Sequence, residues 1–311
     1  MVSKSAPLAG RVLVVAFEGW NDAGEAATGA VKALRDSYDA IELYSVDAEN
    51  YFDYQFNRPV QSQDESGRSV LTWPTVGFWG EEQRPARGLL RNAPATDPAV
   101  FVLLGTEPSR SWRAFSTEIL DVVRQLGITA IVFTGAMLAD VPHSRPITVF
   151  TSSENPRIRD HFAVTRSGYE GPVGILSVLA HAAEEAGIMT MSIWASVPHY
   201  VHSAPSPKAT LALLERLEEV LEVPIPRGEL VEESKTWEEG IDVLAGDDDD
   251  MAAYIEQLEK ARDTVDSPDA SGDAIAKEFE KYLRHQGDDP RRGNAGGAGG
   301  PAGPVGPSGP E

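Results

Sequence analysis

The residues best equipped for chemistry lie in short polar stretches, each following an apolar run or a Gly/Pro turn. They are Asn21 and Asp22, Thr106 and Glu107, His143 and Arg145, then Glu170 and His199. A carboxylate and a histidine can supply acid and base near neutral pH, which makes Glu170 and His199 candidates for proton transfer. In His143-Ser144-Arg145 the planar guanidinium could hold a phosphate or carboxylate at two points. Asn21 and Asp22 precede a helical pattern, where free N–H groups and the helix dipole favour an anion or a capping side chain.

Other chemistries are excluded by what is missing. The chain has 311 residues and no cysteine, so thiolate catalysis, disulfides and Cys-ligated metals drop out. No Gly-x-Ser-x-Gly elbow occurs, which weighs against an ordinary α/β-hydrolase. His199 and His202 are spaced i, i+3; an extended loop would turn them to opposite sides, and no HExxH accompanies them, so no metal site is expected. The glycines around Trp20 do not follow the dinucleotide fingerprint and no Gly-Lys-Ser/Thr is present, so no cofactor is expected. The run Asp247–Asp250 lacks the alternating ligand spacing of an EF-hand and reads as a solvated linker.

Charge narrows the partners. There are 48 acidic and 27 basic side chains. Such a balance argues against a broad nucleic-acid surface and against docking on anionic lipid. The excess is concentrated late in the chain: from Ala204 onward 25 acids meet 11 bases, against 23 and 16 before it. No window is long and apolar enough for a transmembrane helix, and MVSKSAPLAG is too short and too polar for a signal peptide. The expected location is the cytoplasm.

The elements that must position the polar stretches alternate. Arg11–Phe17 is a continuous apolar run, as expected of a strand covered on both faces. Asp22 and Glu25 have capping-box spacing for the helix that runs to about Ser37. Ile41–Val46 reads as a strand. Residues 59–63 and 68–74 flank Asp64-Glu65-Ser66-Gly67 as an inserted hairpin arm, in a stretch of aromatics (Tyr51, Phe52, Tyr54, Phe56, Trp73, Phe78, Trp79) suited to subunit or core contact. Val100–Leu104 is a strand, followed by a helix capped by Ser111 that reaches Gln125 and stops at Gly127. Ile128–Thr134 is a strand leading into a loop from Gly135 to Pro146, and Ile147–Thr151 is strand-like. A short helix is expected over residues 154–161 and a short strand over 162–165. Val173–Ala186 is a helix, Ile188–Val197 a strand, and Lys208–Leu221 an amphipathic helix with Leu211, Leu214, Leu217 and Leu221 at helical spacing.

This alternation implies a mainly parallel sheet with helices on both faces, a three-layer α/β/α core over residues 1–226 with the arm near 50–80. Strand C-terminal ends then carry the polar stretches, where such folds bind ligands. Three acidic amphipathic helices (229–244, 250–265, 274–285) form an expected helical appendage over 227–286. The Gly/Pro-rich stretch 287–311 is expected to be disordered.

Gly19-Trp20-Asn21-Asp22-Ala23-Gly24, Pro142-His143-Ser144-Arg145-Pro146, Gly168-Tyr169-Glu170-Gly171-Pro172-Val173-Gly174 and Ser192-Ile193-Trp194-Ala195-Ser196-Val197-Pro198-His199-Tyr200-Val201 together resemble the bacterial, actinobacterial branch of the proteasome assembly chaperone family, related to the second eukaryotic chaperone. The likeness covers roughly residues 8–225, and the acidic helices resemble that branch's C-terminal extension. It implies a core similar to the nucleoside phosphorylase/peptidyl-hydrolase fold, a homo-oligomer such as a trimer, and a role in 20S proteasome assembly with proteasome subunits as partners. No established catalytic residue comes with it. The given sequence ends Ser308-Gly309-Pro310-Glu311, so the hydrophobic-Tyr-X docking of some relatives is not expected. The expectation is therefore a non-enzymatic oligomeric binding protein. The alternative is a phosphorylase- or hydrolase-like enzyme, or a binder of small anions or nucleoside-like ligands, using the strand-end cleft.

Overall fold

The apolar run Arg11–Glu18 forms β1, and its side chains leave the backbone alternately toward two helical layers. Val12, Val14 and Ala16 enter one core, while Leu13, Val15 and Phe17 enter the other. Period-two geometry with both faces covered is why this strand shows no polar alternation.

The computed structural model describes residues 7–38, 40–81, 99–201 and 205–266. After β1 come α1 (Ala26–Ser37), β2 (Ile41–Ser45), β3 (Val60–Gln63), β4 (Ser69–Thr72), β5 (Val76–Gly80) and β6 (Ala99–Thr106). Then follow α2 (Trp112–Gln125), β7 (Ala130–Ala139), β8 (Val149–Ser152), α3 (Pro156–Phe162), α4 (Ile175–Glu185) and β9 (Met189–Pro198). The last described elements are α5 (Pro207–Leu221), α6 (Leu230–Gly246) and α7 (Asp249–Asp266). Among the described residues the sheet has seven strands in the order β2-β5-β6-β1-β7-β9-β8. Its centre, β6-β1-β7-β9, is parallel, and β2, β5 and β8 add antiparallel flanks.

Helices α1 and α5 pack on one face through residues such as Leu34, Leu213 and Leu217, and α2 and α4 on the other through Phe115, Ile119, Leu176 and Leu179. The protein is thus a three-layer α/β/α structure with a mainly parallel sheet. Among the described residues, no helix is long and apolar enough to cross a membrane.

Several local expectations are corrected. The Asp22–Glu25 capping box does not form. Gly24 and Glu25 take left-handed conformations (φ 59° and 52°), a 3-10 turn intervenes, and α1 starts at Ala26. Asp22 instead reaches past the turn: its carboxylate accepts from the N–H groups of Ala27 (2.7 Å) and Thr28 (3.2 Å), and from the Thr28 hydroxyl. Ser111 precedes α2 as expected but caps with its carbonyl, which accepts from Phe115 N–H at 2.9 Å; its side chain makes no cap. Residues 162–165 give only an isolated bridge between Thr165 and Ser152, because α3 extends to Phe162.

Two strands differ from expectation. Val76–Gly80 is a strand that its glycines concealed, since glycine is a weak strand former. Gly77 is required there, because a Cβ would come 2.5 Å from the Trp79 ring. β7 runs on through Gly135 to Ala139, where the loop was expected to have begun, held by a parallel ladder with β9 that ends at the Ala139–Pro198 pair.

The hairpin arm is present, with β3 and β4 paired antiparallel in a separate two-stranded sheet and Gly67 in the turn at φ 78°. Beyond the expected boundary near residue 226, α6 and α7 continue in the same compact unit as the sheet, which extends to Asp266. The third acidic helix and the Gly/Pro-rich stretch lie outside the described residues.

Candidate functional site

Asn21 and Asp22 follow β1 and bridge to Ala136 of β7, with Ala136 N–H donating to the Asn21 carbonyl at 2.8 Å. This extended pair sends its two side chains into different surroundings. Asn21, 1% exposed, donates from Nδ2 to Glu107 Oε1 at 2.9 Å. The same Glu107 oxygen accepts from Ile175 N–H at 3.0 Å, so Glu107 closes the N-terminus of α4. Gly174, the residue before α4, is needed for this approach, because a Cβ would lie 2.4 Å from Asn21 Oδ1.

Asp22 is turned toward α1 and is 7% exposed. Burial pushes its carboxyl up from the ordinary aspartate range, and the Thr28 and Ala27 hydrogen bonds partly offset that. Thr106 Oγ1 donates to Glu18 at 3.2 Å. Glu170 is exposed on the loop leading into α4.

The second group gathers at the loop after β7. His143 is 1% exposed. Its main-chain N–H donates to the Tyr200 hydroxyl at 2.7 Å, and its Nδ1 lies 2.9 Å from the same oxygen. Its Nε2 lies 3.0 Å from Asp242 Oδ1 of α6. One proton arrangement satisfies all three contacts. The Tyr200 hydroxyl accepts from the main chain and donates to Nδ1, while Nε2–H donates to Asp242. Lys208, at the start of α5, donates to the His143 carbonyl at 2.5 Å and to Glu238 of α6.

Arg145 is engaged by α7. Nε and Nη2 donate to the two oxygens of Asp263 at 2.8 and 2.9 Å, and Nη1 to Glu259 at 3.3 Å. The two-point grip expected for a free anion is filled by the chain's own carboxylates. Hydrogen bonds from Arg145 hold Asp263 below the ordinary aspartate range. Ser144 also donates to Glu259.

His199 begins a 3-10 turn (His199–Val201), not an extended loop. Its Nδ1 is 3.3 Å from Asp140 Oδ1, and its ring meets Tyr200 and Tyr254 edge-on at 5.8 and 5.6 Å. His202 lies outside the described residues. Among the described residues, no cluster of three or more His, Cys, Asp or Glu is arranged to hold a metal ion.

The structure therefore joins Asn21 to Glu107, and fastens His143 and Arg145 to α6 and α7. Lys208, Glu238, Asp242, Glu259 and Asp263 were not singled out from sequence. A signal for the acids existed. Glu238/Asp242 and Glu259/Asp263 are like-charge i, i+4 pairs, which weaken a helix unless a cation spans them. Lys208 with His143 spans the first pair, and Arg145 the second.

Tyr200→Phe tests this seam. Losing the hydroxyl leaves the buried main-chain N–H and Nδ1 of His143 without their shared partner, and such orphaned groups cost about 1–3 kcal/mol. A loss of about 2 kcal/mol in denaturant unfolding is expected; an unchanged midpoint would count against a structural role for the hydroxyl.

Comparison with known proteins is consistent with this architecture. No curated protein matches the sequence. A PAC2 family protein from Streptomyces avermitilis is 40% identical, with a TM-score of 0.69, covering 78% of this chain and 99% of that one. The proteasome-assembly chaperone homologue Rv2125 of Mycobacterium tuberculosis is also 40% identical, with a TM-score of 0.67 and the same coverage. PbaB, an archaeal proteasome activator from Pyrococcus furiosus, shares the fold at 13% identity and a TM-score of 0.58, covering 78% of this chain and 97% of that one. The PAC2 family model matches residues 16–245. The chain belongs to the PAC2 family.

Proposed function

We propose that this protein is a cytoplasmic, homo-oligomeric binding protein that assists assembly of the 20S proteasome, rather than an enzyme. The observation that carries this reading is the state of the strand-end residues. Arg145, Lys208 and His143, the groups that would have to meet an anionic substrate, are bonded to carboxylates of α6 and α7. Asn21 and Glu107 are likewise committed to the start of α4. Residues bonded into a structural seam are poorly placed for turnover. Family membership and a 40%-identical neighbour described as a proteasome-assembly chaperone homologue supply the partner class.

The β3–β4 arm supports self-association. Val60, Val70, Leu71 and Trp73 of the arm are exposed, as is Phe56 just before it at 82%. A two-stranded hairpin is marginal alone in water, so a partner surface that covers these side chains would stabilise it. A trimer is the expected oligomer.

Purifying the tagged chain from the cells that make it, with light scattering on the eluate, tests both parts. Stoichiometric proteasome α-subunits or half-proteasomes and a mass of three chains are expected. If no proteasome subunit accompanies the protein and its deletion leaves proteasome maturation unchanged, the assembly reading fails. A monomer mass would remove the oligomer.

A further inference from the structure

Strand β2 stands at one end of the sheet, paired with β5 on one side only. Among the described residues no strand occupies its outer edge. Beside it lies an open cleft of about 550 Å³, walled by Tyr44 and Tyr51 on one side and by Ala114, Thr117, Glu118, Asp121, Val122 and Gln125 of α2 on the other. At the cleft, Glu118 accepts from both tyrosine hydroxyls, Tyr44 at 2.6 Å and Tyr51 through its other oxygen. It has no ion pair among the described residues, whereas Asp121 is paired with Arg124 at 2.7 Å. The hydrogen bond to Glu118 pushes the Tyr44 hydroxyl up to about 12, and burial together with the Glu118 hydrogen bond pushes the Tyr51 hydroxyl up to about 12.

An open edge presents unpaired N–H and C=O groups that bind an extended chain through its main chain, while side-chain pockets decide which chain is accepted. Here the pocket joins aromatic walls to a carboxylate, which suits the apolar stem and charged head of lysine or arginine. Glu42, Asp47 and Glu49 add negative charge around the same edge. Pairing with the same edge of a second copy would set Glu42, Asp47 and Glu49 against their own counterparts, so charge complementarity selects a basic segment instead.

We propose that β2 is a docking edge for an extended basic segment of another protein, which adds as a further strand and seats one lysine or arginine against Glu118 between Tyr44 and Tyr51. The site is separate from the seam at His143 and Arg145, and the proposal does not rest on the assembly role.

Three labelled peptides test it on the full chain by fluorescence anisotropy. The first alternates threonine and valine around a central arginine. The second replaces that arginine with norleucine, and the third keeps the charge but replaces the valines with proline. The first is expected to bind, to protect the amides of Ile41–Ser45 from hydrogen exchange, and to weaken at least about tenfold against Glu118→Gln. Glutamine still accepts a hydrogen bond from a tyrosine, so this variant should retain the fold. Equal binding of the proline peptide would mean charge attraction without strand addition and would overturn the proposal. Equal affinity for Glu118→Gln, or no binding of the first peptide, would also overturn it. Residues 82–98 contain Arg84, Arg87 and Arg91. If changing these three to serine raises affinity for the first peptide about tenfold, the occupant is the chain itself and the proposal fails.

Discussion

Asp22→Ala is expected to lower the stability of the folded unit by about 3 kcal/mol, combining a lost helix cap with stranded donors. The carboxylate accepts two main-chain N–H groups and the Thr28 hydroxyl in a site 7% exposed to solvent. Alanine leaves these donors buried without a partner at the start of α1, the helix that packs against β1, β6 and α5. For a chain of this size such a loss lowers the melting temperature by roughly 6–12 °C.

The pH dependence has a defined sign. Burial raises the folded-state pKa of Asp22 above its unfolded value of 3.8. Between those two values the native state holds more protons than the unfolded state, so this group's contribution to stability falls as pH rises through that window. Asp22→Asn keeps an acceptor oxygen but does not titrate. Relative to wild type it should therefore gain stability as pH rises from 3.8 upward. A difference between the two proteins that stays flat across acidic pH would show that Asp22 does not titrate in this way.

Arg145→Glu is expected to release α7. This helix buries Ile255 and Leu258 but shows little other apolar commitment, and a free helix of its length is marginal in water. Charge reversal would place a carboxylate against Asp263 and Glu259, where the guanidinium now bonds both. Measured by hydrogen exchange, the amides of Asp249–Asp266 should approach unprotected rates while β1 and β6 stay protected, as expected for opening of one weak unit. Combining Arg145→Glu with Asp263→Arg should restore protection. If α7 keeps its protection in the single variant, its attachment does not depend on Arg145.

The parallel centre of the fold was legible because β1, β6, β7 and β9 are apolar runs buried on both faces, and α2, α4 and α5 carry helical spacing. β5 was not, since Gly77 and Gly80 fit close contacts with neighbouring side chains instead of a strand-forming pattern. Its register comes from pairing with β6 and β2. The α1 cap was misread because Gly24 and Glu25 turn left-handed, and the Gly24 carbonyl accepts from Ser206 N–H at 2.8 Å, a contact that local spacing does not encode.

The candidate residues divide along the same line. Composition and local pattern determined that polar side chains would stand at strand ends, that no thiol chemistry exists, and that the late helices are acidic. Only the tertiary structure decided what those polar groups do. Arg145 and Asp263 are 118 positions apart, and His143 and Asp242 are 99 apart. Local periodicity can show that one face of a helix is acidic. Which cation that face meets depends on how the helix packs, and in this protein the packing converts a candidate anion site into an internal seam.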